Sequence, residues 1–355
     1  MNVKFAKRAA VVAGAVVLGT TLVTTTAQAD PPTYRQLVGV GSDTTQDVMN
    51  GLGNTIDDSD GSPSSKLIAS YDATGSATIQ TRPDPTVCKG LTRPNGSGAG
   101  VNALRADIAA GTHCYDFARS SSAPNASGQF TFIPFGIDAV APAVRGDSLI
   151  GSDIDSAELV NAYNCKDTAG NPLNPTAGIY PTLNGKTVHP LIPQAGSGTR
   201  KFWASKMGID ANNLPWCVSD VAKDGSIVEE HDGSSLQRTA AVDGAEDVVP
   251  FSIAQWIAQT NGVAPNRVHG AVLESVDGTS PRSGSDLNTS FPYNREVYNV
   301  LQSSRIANDS IDPDYYFAFV GGTSDVCNNT AVINLYGFGT DPNCGSTALS
   351  GRDLV

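Results

Sequence analysis

Gly39-Val40-Gly41-Ser42-Asp43-Thr44-Thr45 is the stretch on which the fold reading turns. Tyr34–Val40 reads as a short strand that ends in the glycine-rich Gly39–Asp43. Thr44–Ile56 then reads as a helix, because Val48, Leu52 and Ile56 fall four apart on one face. A strand running through glycine and hydroxyl residues straight into a helix is a βα junction, and related junctions recur. Ser65–Tyr71 is a strand candidate that runs into Gly75-Ser76, and Tyr115–Ala118 leads into Arg119-Ser120-Ser121-Ser122. Thr187–Pro193 passes through Gly196-Ser197-Gly198-Thr199 into a helix that reaches Lys206. Between these, Val101–Ala110 and Asp155–Tyr163 have helical spacing, and Phe132–Val144, almost without charge, suits a buried strand. Strands alternating with helices predict an α/β architecture with largely parallel sheets.

The junctions point to an anion site. The first turn of a helix has N–H groups without intrahelical partners, and the macrodipole adds partial positive charge there. Glycine lets a ligand approach the backbone, and Ser or Thr hydroxyls add donors for phosphate, sulfate or carboxylate oxygens. In open α/β sheets ligands sit at the carboxyl ends of strands, where these loops lie. Arg200 and Lys201 fall in the first turn after Gly196–Thr199, where cations oppose the dipole. A bound anion would account for them; simple exposure to water is the other reading. A lone Ser-Gly-Thr is also an ordinary helix cap.

Composition bounds the setting. Lys4, Lys7 and Arg8 precede an uncharged run from Ala9 to Val23, and Ala27-Gln28-Ala29 has the small-x-small form of a cleavage site before Asp30. Residues 1–29 therefore read as a signal peptide cleaved near Ala29, and the product as secreted. No cysteine lies near that point, so a lipid anchor is not expected. Removing the leader leaves 20 basic against 35 acidic side chains, a net charge near −15. Such a surface repels nucleic acid and anionic lipid. The remaining length, about 325 residues, exceeds one ordinary core, so two lobes are expected. Six cysteines in an oxidising compartment read as three disulfides. They allow fifteen connectivities, of which the short loops Cys88–Cys114, Cys165–Cys217 and Cys327–Cys344 are the simplest. There is no C-x-x-C pair and the four histidines are scattered, so neither metal nor cofactor is expected.

In order and spacing the motifs resemble the extracytoplasmic phosphate-binding proteins of ABC transporters, a branch of the type II periplasmic-binding-protein fold. Gly39–Thr44 resembles the family's Gly-x-Gly-x-Thr loop, and Tyr71–Ser76 its Tyr…Gly-Ser loop. Asp116-Phe117-Ala118-Arg119-Ser120-Ser121-Ser122-Ala123-Pro124 is similar to its Asp-Phe-Gly-Ala-Ser-Asp-Ala-Pro loop. Ser197-Gly198-Thr199, followed by Phe202 and Trp203, resembles its Ser-Gly-Thr helix start, and Phe291–Tyr298 its returning strand. The resemblance implies two α/β lobes joined by crossover strands near Asp138–Val144 and Arg295–Val300. Lobe 1 would comprise residues 30–140 and 295–355, and lobe 2 residues 141–294. It implies a monomer that closes on a small oxyanion, most simply phosphate, and serves an ABC transporter permease. The implied ligand residues are Ser42, Thr44, Thr45, Ser76, Arg119, Ser121, Ser122, Ser197, Gly198 and Thr199. The chain departs from the family twice. Ser121 or Ser122 replaces an aspartate that accepts a hydrogen bond from protonated phosphate, so a fully ionised anion such as sulfate also fits. Pro193 and Ala195 stand where an arginine and an aspartate usually precede Ser-Gly-Thr, and Arg119 is the candidate for the missing charge.

Two rival classes remain. A released binding or adhesion module could keep the fold without the ligand. A secreted esterase is suggested by Gly146-Asp147-Ser148-Leu149, but no histidine follows an aspartate by three positions, so no enzyme is expected. Glu229-Glu230 reads as a solvated loop.

Overall fold

In the computed structural model, residues 30–58 and 65–355 are described. The leader and its cleavage site near Ala29 lie outside the described residues. The βα junctions are built as the sequence pattern predicts, with shifted ends. Strand β1 (Leu37–Gly41) leads to helix α1 (Gln46–Thr55), and β2 (Ile68–Ser70) follows. Helix α2 (Ser97–Ala110) starts four residues before the Val101 expected from its apolar face, and β3 (Phe117–Ser120) comes after it. The uncharged stretch lies inside a long strand, β4 (Ala126–Arg145). Beyond it come α3 (Ser156–Tyr163), β5 (Lys186–Pro190), α4 (Gly198–Met207), β6 (Glu246–Ser252), α5 (Ile253–Thr260) and β7 (Asn294–Gln302).

The main sheet has the order β2-β1-β3-β7-β4-β6-β5, with Thr182–Leu183 at its far edge. Its flanks are parallel, β1 with β2 and β3 on one side and β6 with β5 on the other. The centre is antiparallel, which corrects the expectation of a largely parallel sheet. There β4 and β7 run in opposite directions side by side, from Asn294 opposite Ala139 to Gln302 opposite Phe130. Two strands crossing between lobes in opposite senses must pair this way. The two lobes are thus flanks of one sheet, joined through β4 and β7. Trp203, fully buried, packs edge-on against Tyr163 and Tyr293 beneath α4.

All three short-loop disulfides form: Cys88–Cys114, Cys165–Cys217 and Cys327–Cys344. Loops of this size contribute about 3–4 kcal/mol each on chain-entropy grounds. Among the described residues no helix is long and apolar enough to cross a membrane.

Candidate ligand-binding site

Where the flanks meet, helix starts from both lobes converge. At the end of β1, Gly41 has φ +120 and a Cβ there would stand 2.8 Å from the Arg119 carbonyl, so only glycine lets the chain turn in. Ser42, Asp43, Thr44 and Thr45 follow, all buried. On α4, Ser197 caps the helix by accepting the Arg200 N–H at 2.8 Å. A side chain at Gly198 would overlap the hydroxyls of Ser97 and Ser121, so its absence is what lets α4 close on the opposite lobe. Gly98 N–H donates to the Gly196 carbonyl at 3.3 Å across the same junction.

A continuous hydroxyl cluster results. Ser42 Oγ donates to Ser121 Oγ at 3.1 Å, and Ser97 Oγ accepts the Ser121 N–H at 3.0 Å. Thr44 Oγ1 lies 3.2 Å from Ser121 Oγ and 3.4 Å from Thr199 Oγ1, and Ser122 Oγ donates to the Gly198 carbonyl at 3.3 Å. The structure therefore gathers Ser42, Thr44, Ser121, Ser122, Ser197, Gly198 and Thr199. Thr45 is beside them, buried, with its hydroxyl lacking a partner.

Two expected members lie elsewhere. Ser76 is exposed and donates to the Thr78 carbonyl, while Arg93 donates to it. Arg119 is wholly buried, but its guanidinium donates to the carbonyls of Gly39, Gly41 and Ser42 and to Ser70 Oγ. It braces the β1 loop from behind and does not enter the cluster. Burial pulls it down to about 10, against the opposing charges of Asp72, Asp43 and Asp47. Arg200 is likewise used within its lobe, on Asp220 at 2.7 Å and the carbonyls of Ala211 and Pro193.

The positive charge comes from Arg295 at the start of β7. Its Nη2 donates to Thr199 Oγ1 at 2.9 Å and to Asp138 Oδ2, its neighbour across the β4–β7 pair, at 2.8 Å. Nη1 has no partner. Asp138 also accepts from Ser252 Oγ at 2.7 Å. The second addition is Glu230, which is fully buried and not in a solvated loop. Its Oε2 accepts from Thr44 Oγ1 at 3.0 Å and Thr199 Oγ1 at 3.1 Å, with His231 Nε2 at 3.1 Å. Burial alone would raise its carboxyl. Hydrogen bonds from His231 and Ser197 and the Arg295 charge outweigh burial and hold it at about 2. Of the residues that sequence reasoning missed, Ser97 had a signal, since Gly96-Ser97-Gly98 repeats Gly196-Ser197-Gly198.

Asp43, Glu230 and His231 bring three ligand-type atoms within 4.8 Å of one another. Their chemistry does not suit a metal ion. The Ser252 N–H donates to His231 Nδ1 at 3.2 Å, so the neutral ring carries its proton on Nε2, facing Glu230. Asp43 is engaged by Arg267 at 3.1 Å.

A separate cleft of about 800 Å³ opens beside α1, lined by Asp47, Asn50, Asp72, Ala264 and Tyr336. Burial raises Asp47 to about 6 and Asp72 to about 7.

A profile of the PBP superfamily domain matches residues 26–302. The chain belongs to the PBP superfamily. Among solved structures, this PBP-superfamily chain is similar to an ABC-type phosphate transport receptor from Vibrio cholerae, with 15% identity and a TM-score of 0.50 over 86% of this chain and 100% of that one. PstS from Borrelia burgdorferi shows 13% identity and a TM-score of 0.43, over 86% of this chain and 98% of that one. A human phosphate binding apolipoprotein shows 13% identity and a TM-score of 0.43, over 90% of this chain and 100% of that one. A search of curated protein sequences gave no match. The Vibrio cholerae likeness and the family match agree with the two-lobed periplasmic-binding-protein architecture built above.

Proposed function

We propose that this protein is a secreted solute-binding protein whose interlobe cluster takes a small tetrahedral oxyanion, phosphate first. The observation that carries the reading is the convergence of donors from both lobes. Thr44 and Ser121 meet Thr199 at the start of α4, and Arg295 supplies the charge from the strand between lobes. Helix starts with hydroxyls and one guanidinium suit an anion stripped of water. Opening and closing would be a hinge motion about β4 and β7. In this reading the protein acts as a monomer, without catalysis, and hands its ligand to an ABC transporter permease. Lobes would divide near residues 140 and 295. The three disulfides suit an oxidising compartment. The esterase reading is not favoured by the surroundings of Ser148, whose hydroxyl donates to Glu246 and accepts the Ile150 N–H. One observation favours the second reading, a released module without a small ligand: a carboxylate, Glu230, already lies among the donors.

The test is a thermal-shift titration of unfolded, ligand-stripped and refolded protein with phosphate and sulfate. Ligand at about a hundred times its dissociation constant adds about 2.7 kcal/mol of stability. A saturable rise in Tm with either anion is expected. No rise with either at millimolar concentration overturns the reading.

A further inference from the structure

Glu230 has the chemistry of a ligand. One of its oxygens accepts hydrogen bonds from the hydroxyls of Thr44 in one lobe and Thr199 in the other, and faces the His231 Nε2–H. Its other oxygen, Oε1, is buried without a partner, as is Arg295 Nη1. The turn that delivers it is strained. His231 is a buried non-glycine residue at φ +56, and Gln259 Nε2 fixes its carbonyl at 3.1 Å. Left-handed backbone is unfavourable at a bulky residue and persists only where its surroundings impose it. Here it aims the preceding carboxylate at the donors.

We infer that Glu230 is a tethered anion: in the resting protein its carboxylate fills the oxyanion nest and closes the lobes, and a free oxyanion binds only by displacing it. The inference rests on reading the cluster as an oxyanion nest. With Thr44, Thr199 and His231 already turned to this carboxylate, an oxyanion that needs the same donors must displace it. The nest therefore offers itself only during the fraction of time that Glu230 is out, and apparent affinity falls by that fraction. The device sets a threshold concentration for the oxyanion. It also lets the protein hold a closed shape with no ligand bound.

The experiment uses the full secreted chain, stripped and refolded, as wild type, Glu230→Gln and Glu230→Ala. Calorimetric titration with inorganic phosphate should show Glu230→Gln binding about ten-fold tighter or more than wild type, since the competing charge is gone. Acetate is the group that Glu230→Ala removes, and it should raise the Tm of that variant saturably while leaving wild type unchanged. The acetate arm needs no phosphate binding. If acetate rescues Glu230→Ala while phosphate binds no form, the tethered anion stands and the oxyanion-uptake function falls. If phosphate binds wild type and Glu230→Gln equally and acetate moves nothing, the tethered anion is overturned and the uptake function stands.

Discussion

Two groups of buried carboxylates lie on either side of the start of α1, and they behave in opposite ways. In the nest, Glu230 is surrounded by donors and stays ionised, with its carboxyl held at about 2. In the cleft, Asp72 has one side-chain donor, Asn50 at 2.7 Å, and Asp47 Oδ2 has none. Burial raises Asp72 to about 7 and Asp47 to about 6. Burial is the largest single influence in all three, so what decides the outcome is whether anything outweighs it. In the nest, donors and opposite charge do. A site prepared for an anion thus differs from a pocket that only contains acids, even when both are acidic in sequence.

The largest test of this contrast removes the charge that anchors the nest. Arg295→Met leaves Asp138 buried with only Ser252 Oγ and the Ala254 N–H as donors. Loss of one partner of a buried ion pair costs about 3–5 kcal/mol, readable in urea unfolding at pH 7. A cost below about 1 kcal/mol would mean that water reaches Asp138 and that the nest is not dry.

The next test makes one chemical change in both regions. Glu230→Gln should destabilise at pH 7 by about 1.5–3 kcal/mol, the usual worth of charge-assisted hydrogen bonds. Asp72→Asn should do the reverse and stabilise, because it removes a charge that burial disfavours. If both substitutions move stability in the same direction, the two regions are not distinct.

The pH profile carries the same contrast. Asp47 and Asp72 have folded values above the ordinary 3.8, so between 3.8 and about 6 or 7 the folded state holds protons that the unfolded state has lost. Their contribution is present at low pH and disappears as pH rises through 6–7. Glu274, also raised by burial to about 7, adds to that trend. Glu230 works the other way: its contribution is full above 4.5 and is lost as pH falls toward 2. Stability by chemical denaturation should therefore peak at about pH 4 and fall from there to about pH 7. Asp72→Asn should flatten the alkaline limb, and Glu230→Gln the acid limb. A profile that rises steadily to pH 8 would contradict the cleft assignment.

Much of this architecture is legible in sequence because βα junctions are local. Gly41 and Gly196 mark where a strand turns into a helix, and a hydroxyl residue at the turn marks the cap. The disulfides were also readable, since each joins cysteines adjacent in sequence order. Glu230 was not. A Glu-Glu-His-Asp run among glycines looks solvated, and only the approach of α4 and α1 from different lobes buries it. The sequence points to Arg119 and not to Arg295 for a related reason: which arginine reaches the cluster depends on the pairing of β7 with β4, which no local spacing encodes. Ser97 does carry a local signal, since its Gly-Ser-Gly context repeats that of Ser197.

The smallest prediction separates those two serines. Ser197 caps α4, whereas α2 has no side-chain cap, and Ser97 turns its oxygen to the Ser121 N–H. Ser197→Ala should cost about 1 kcal/mol, the typical loss of an N-cap. The same hydroxyl can do two things at once. Its lone pair accepts the Arg200 N–H, and the hydroxyl also helps hold the Glu230 carboxyl low. A double-mutant cycle distinguishes the roles. If Ser197 serves both, its loss in the Glu230→Gln background should differ from its loss in wild type by about 0.5 kcal/mol or more. Additivity would reduce Ser197 to a cap, leaving Thr44, Thr199 and His231 as the donors that keep Glu230 ionised. Ser97→Ala should show no such coupling, because its bonds run to Ser121 and not to the carboxylate.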